Sequence, residues 1–134
     1  VLFVLILFPS CSLFQKKKNY PLEHTFERSY YDTTQLEYEA SYLNGKLDGI
    51  SRVWYPSGKL QSYSEYKYNY PHGKWKKYFE NGFLMYEVSY SHGLKQGYEK
   101  WYHDNGRLKS EQEFEDDKPL STITRWKPDG TLLY

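Results

Sequence analysis

Apolar and polar positions along this chain follow two rhythms at once. At short range they alternate, as in the run from Leu36 through Tyr38 and Ala40 to Tyr42, with Glu37, Glu39 and Ser41 between them. A period of two sends one set of side chains to one face of a β-strand. At long range the same residue types return every 24 positions. Gly58, Gly82, Gly106 and Gly130 form one column, and Leu60, Leu84, Leu108 and Leu132 form a second. Trp54, Tyr78, Tyr102 and Trp126 form a third, followed by Gly49, Gly73 and Gly97 with Ser121, and by Tyr66, Tyr90 and Phe114. One step back lie Tyr30, Leu36 and Tyr42, with Thr34 where glycine should stand: a degraded terminal unit.

Each unit reads as a β-hairpin. The segments YPSGK, FENGF, HDNGR and KPDGT sit between runs rich in Tyr, Trp, Val and Ile. Pro56 and Pro128, with fixed negative φ, fit the first central residue of a type I turn, leaving the glycine two places on left-handed as a bulge. A three-residue loop then sets Trp54 opposite Leu60, Tyr78 opposite Leu84, Tyr102 opposite Leu108, Trp126 opposite Leu132 and Tyr30 opposite Leu36. Strict alternation from that point puts Leu84, Tyr86, Val88 and Tyr90 on one packed face with Tyr78. The second face then holds Trp75, Lys77, Phe79, Phe83 and Met85, with Lys77 opposite Met85 and Trp101 on the neighbouring strand. The expected architecture is all-β, an elongated single-layer antiparallel meander of tandem hairpins. It comprises about 4.5 repeats over residues 28–134, with residues 12–27 as tether and lead-in.

The columns Gly73, Trp75, Tyr78, Asn81, Gly82, Leu84, Glu87 and Tyr90 resemble the bacterial MORN-repeat variant family. The resemblance covers roughly the last 105 residues. It implies a single-layer sheet and a role in protein–protein or membrane-surface contacts. Some bacterial members carry an antitoxin label. No catalytic set comes with the family, and Trp75 is replaced by Ser51, Glu99 and Ile123 in other units.

Composition narrows the picture. Aromatics make up 20% of the 134 residues, with 16 Tyr and 4 Trp, although mean hydropathy is only −0.88. Rings with a polar tip suit a thin structure without a deep interior. Lys+Arg 18 against Asp+Glu 17 leaves a net charge of +1, which provides no basic field for nucleic acid. One cysteine excludes an internal disulfide framework and a multi-cysteine metal site. Residues 1–11 form a short apolar run ending Ser10-Cys11, which resembles the lipobox of bacterial lipoproteins, with Cys11 as the lipidation site. An uncleaved signal anchor or a truncated membrane helix is the alternative, since Lys16, Lys17 and Lys18 follow.

Chemistry is not expected. His24, His72, His92 and His103 occupy unlike repeat positions without a metal-ligand spacing and read as solvated turn residues. Glu39, Glu87 and Glu111 form a column broken by Tyr63, read as a charged surface near Lys77 and Lys109. Gly49 and its equivalents are assigned to turns. No cofactor or metal is expected. The functional expectation is a non-catalytic, lipid-anchored scaffold at the cell envelope, on the periplasmic or surface side of a bacterial membrane. It would bind a partner protein through Trp75, Lys77, Phe79, Phe83, Met85 and Trp101. A glycan or cell-wall binder and an antitoxin-like neutraliser are the other two readings.

Overall fold

The computed structural model describes residues 21–134, so Cys11 and the leader lie outside the described residues. Strands β1 (His24–Tyr30), β2 (Leu36–Leu43), β3 (Lys46–Trp54), β4 (Leu60–Lys67), β5 (Tyr70–Tyr78) and β6 (Leu84–Ser91) follow one another along the chain. They continue as β7 (Leu94–Tyr102), β8 (Leu108–Glu115), β9 (Lys118–Pro119), β10 (Thr124–Trp126) and β11 (Leu132–Leu133). All lie in one open antiparallel sheet, ordered as in the chain from β1 to β8 and then β10 and β11, with β9 beside β8. The all-β meander of sequential hairpins is therefore the fold, with no helix among the described residues. Pairing begins at His24, four residues before the repeat arithmetic placed it, so residues 24–27 belong to the sheet rather than to a lead-in.

Two turn types alternate. The wide loops are the three-residue kind: the Gly58 amide donates to the Tyr55 carbonyl at 2.8 Å, and the Tyr55 amide donates to the Lys59 carbonyl at 2.8 Å. Gly82, Gly106 and Gly130 close identical loops, each with φ between 81° and 92°. The five aromatic–leucine pairs follow, with Trp54 opposite Leu60 and Tyr78 opposite Leu84. In the first hairpin, which lacks the glycine, the Asp32 carboxylate instead accepts from the amides of Thr34 and Gln35, both at 2.8 Å.

The opposite end carries two-residue turns at Asn44-Gly45, Tyr68-Asn69, His92-Gly93 and Asp116-Asp117, with positive φ at both residues of each. This is the type I′ conformation, whose twist matches that of the flanking strands. These turns also tie neighbouring hairpins together. The Asn69 amide donates to the Leu47 carbonyl at 2.8 Å, and the Leu47 amide donates back to Asn69 Oδ1 at 2.7 Å. Lys95 and Asp117 repeat the exchange two units later, at 3.2 and 2.7 Å.

The faces differ from the alternating pattern, and the cause is one extra residue in each of the first four hairpins. Tyr78 opposes Leu84, but Lys77 opposes Tyr86, so Met85 is bulged out of the register. Glu37, Gln61 and Lys109 are skipped in the same way in the other three of these hairpins, whereas β10 and β11 pair without a skip. A bulge shifts the parity of everything beyond it. Tyr86, Val88 and Tyr90 therefore share a face with Trp75 and Lys77, not with Tyr78 and Leu84. Lys77 opposes Tyr86 rather than Met85.

A second correction concerns Gly49, Gly73 and Gly97. Their φ values of 100°, 65° and 72° are left-handed as expected, but they sit inside β3, β5 and β7 rather than in turns. At Gly49 the strand bends around the Ser41 hydroxyl, which donates to the Asp48 carbonyl at 2.7 Å and accepts from the Ile50 amide at 3.0 Å. A Cβ on Gly49 would collide with that hydroxyl, whereas one on Gly97 would meet nothing. Gly97→Ala should therefore cost only the left-handed backbone penalty of about 1–2 kcal/mol. Gly49→Ala should cost that plus the displaced hydroxyl bonds, about 1 kcal/mol more. Urea unfolding of the two variants side by side measures the difference, and equal losses would contradict this account.

Candidate functional site

Burial within one layer is shallow. No large side chain is fully buried among the described residues, and the most enclosed positions are Ala40, Val88, Leu43, Ser51 and Ser110, all but Leu43 small or slim. These short residues let larger neighbours lie down across them. On that face Trp75 sits between Tyr66 and Tyr90, with ring centroids 5.1 Å away on either side. Its indole Nε1 donates to the Glu65 carbonyl at 2.9 Å. One strand further, Tyr86 and Trp101 oppose each other with centroids 4.4 Å apart. The tract from Tyr66 to Trp101 forms the ring face of the sheet.

The six contact candidates do share this face or its turn. Trp75 and Lys77 are alternate residues of β5. Phe79 and Phe83 face each other across the loop, and Trp101 lies two strands from Lys77 in the same row. Met85 is the bulged residue beside them. Trp101 is 41% exposed and Phe83 51% exposed, the latter lying over Gly106 of the next loop. Lys77 is exposed, while Trp75, Phe79 and Met85 are half-buried. The alternating pattern missed that Tyr66, Tyr86 and Tyr90 belong to the same surface. The segment ahead of Arg28 does not cover this surface, because from His24 onward it forms the β1 edge of the sheet.

The other face carries a ladder of charge. In register across the sheet stand Arg28, Glu39, Arg52, Tyr63, Lys76, Glu87, Lys100, Glu111 and Thr124. The glutamate column thus lies beside Arg28, Arg52, Lys76 and Lys100, rather than near Lys77 and Lys109, because of the bulges. Glu39 is gripped from both sides, by Arg28 at 2.8 Å and Arg52 at 3.1 Å. Lys76 reaches Glu87 at 3.9 Å, and the Tyr102 hydroxyl donates to Glu87 Oε1 at 2.7 Å. Tyr63, which interrupts the glutamate column, lies under the Arg52 guanidinium at 5.8 Å from its ring centroid. Next to this row runs the apolar one, in which aromatic residues of the odd strands meet leucines of the even strands.

Among the histidines, His72 and His92 come together edge to face, 6.0 Å apart, beside a cleft of about 300 Å³ shared with Lys67, Tyr68, Tyr70 and Pro71. His103 Nε2 lies 2.9 Å from the Trp126 carbonyl. No group of three or more His, Cys, Asp or Glu is placed to hold a metal among the described residues.

Several tyrosine hydroxyls resist ionisation. Burial, and then the bond to Glu99, push the Tyr86 phenol well above its ordinary value of 10.0. Burial and Glu87 do the same for Tyr102. The folded protein therefore keeps protons that the unfolded chain releases from about pH 10 upward, so stability is full below that pH and falls as pH rises beyond it. Tyr86→Phe and Tyr102→Phe should flatten that fall. Chemical denaturation at pH 8 and near pH 11 checks this, and an unchanged slope in the double variant would refute it.

Residues 47–68, 71–92 and 95–116 each match the family model described as the MORN repeat variant. No curated protein and no solved structure matches the chain.

Proposed function

This chain is a MORN repeat protein, with three repeats of the variant kind across residues 47–116, and from that premise we propose that it is a non-catalytic scaffold that docks a partner protein on its ring face. Repeats of this kind typically mediate binding. The observation that carries the reading is the placement of Trp101 and Phe83. Both are large, apolar and about half exposed, and they share the face of an exposed lysine, Lys77, with Tyr86 standing between Lys77 and Trp101. Exposed aromatic anchors on a rigid base, with a polar neighbour, are what protein interfaces concentrate. The strands hold these rings before binding, so little side-chain entropy is lost on contact. The leader motif supplies the address: Cys11 carries a lipid that tethers the array to the envelope, where the partner resides.

A glycan-binding reading rests on the Tyr66–Trp75–Tyr90 tract, because aromatic faces also stack on sugar rings. Its rings are tilted by 57–59° to one another rather than forming one flat shelf, which favours a protein surface.

Trp101→Ala, Phe83→Ala and Lys77→Ala in the full chain should each leave the far-ultraviolet spectrum unchanged. Together they should reduce capture from envelope membrane extract by about tenfold or more. Undiminished capture by the folded triple variant would remove the ring face from the proposal, and capture by purified cell wall instead of membrane extract would favour the glycan reading. Intact mass of the membrane-bound protein tests the anchor separately, since a free thiol at Cys11 on an uncleaved chain would overturn it.

A further inference from the structure

The ladder face has a property that the ring face lacks: it is complementary to itself. Odd-numbered strands from β1 to β7 contribute Arg28, Arg52, Lys76 and Lys100 to the ionic row, and even-numbered strands contribute Glu39, Glu87 and Glu111, with Tyr63 in the remaining place. The apolar row obeys the same rule, with rings on odd strands and leucines on even ones. A two-fold axis parallel to the strands and lying between two of them always sets an odd strand against an even strand. Each row then meets itself at the same height along the strand.

We propose that two copies of this chain associate through the ladder face about such an axis between β4 and β5. This arrangement places Arg52 against Glu87 of the second copy and Tyr63 against Lys76 of the second copy, each contact occurring twice. In the apolar row Trp54 meets Leu84, and Ile50, from a row further along, meets the short Ser89. Every cation thereby faces an anion or a ring, and each bulky group faces a smaller one. The alternative two-fold, running through a strand instead of between two, sets lysine on lysine and glutamate on glutamate and is excluded by repulsion.

Sheet twist limits the contact to the middle of the array. Six strands at about 4.8 Å, and about 20 Å along each strand, give roughly 600 Å² per copy. That is the low end for a specific interface, so the dimer should be reversible and should weaken with salt. The proposal is independent of the docking role of the ring face, which stays free on both outer surfaces of the pair.

A charge-swap experiment on the full chain in mild detergent tests it. Wild type should dimerise in sedimentation equilibrium at concentrations up to about 200 µM and dissociate in 1 M salt. Arg52→Glu alone places glutamate on Glu87 twice, and Glu87→Arg alone places arginine on Arg52 twice. Each should self-associate about tenfold more weakly or worse. An equimolar mixture of the two variants restores both contacts and should form a heterodimer with affinity near that of wild type. Unfolded variants could not produce that rescue. Should the reversals fail to fold, Arg52→Gln and Glu87→Gln are measured in the same way and should each weaken the dimer. Wild type that stays monomeric across the range, or folded reversals whose mixture is no tighter than either alone, would overturn the proposal.

Discussion

A side chain in a single layer of strands can be covered only by its neighbours in that layer. With no second sheet or helix among the described residues to close over them, rings such as Tyr66, Trp75 and Tyr90 are half-buried by the residues opposite and diagonal to them. Tyrosine and tryptophan suit that condition, since a buried ring edge and a hydrated tip coexist in one side chain. Tyr86 shows the balance: its ring packs on Trp101 while its hydroxyl bonds Glu99 at 2.8 Å. The same constraint makes small residues such as Ala40 and Ser51 structural, because they are the floor on which the rings lie.

Order along the array is transmitted one hairpin at a time. The two-residue turns exchange hydrogen bonds with the unit before, and the Tyr31 and Tyr55 hydroxyls reach the carbonyls of Trp54 and Tyr78 at 2.8 and 2.7 Å. At Phe79 that hydroxyl is missing, and Asn81 reaches the Asp104 carbonyl at 2.7 Å in its place. Such nearest-neighbour coupling is how repeat arrays hold together without a central core. It also keeps the two faces chemically separate over many strands: an aromatic ring face, and a charged face whose alternation is inherited from the hairpin itself.

The hairpins, their loop type and the pairing of each aromatic with its leucine were legible in the residues, since Pro56, Pro128 and the glycine columns admit few backbone conformations. The assignment of faces was not. Met85 and its equivalents carry no backbone signature, because Glu37, Gln61, Met85 and Lys109 share no residue type. A trace of the bulge was nevertheless present in the charges. Unbulged pairing would set Lys76 on Tyr86, whereas a shift of one residue sets Lys76 on Glu87 and Lys100 on Glu111, as observed. Opposite charges directly across a strand pair stabilise and like charges do not, so charge pairing was the usable signal.

Sequence alone determined where the chain turns and which residues repeat, because turns are local events governed by the φ preferences of one or two residues. Tertiary structure alone decided which side chains share a surface. A single bulged residue reverses the parity of an entire strand, and whether it forms depends on hydrogen bonds and packing with a strand that alternation within one segment cannot see. Tyr66, Trp75 and Tyr90 thus became one tract, and Arg52, Lys76 and Glu87 one ladder, only when the strands were brought into register.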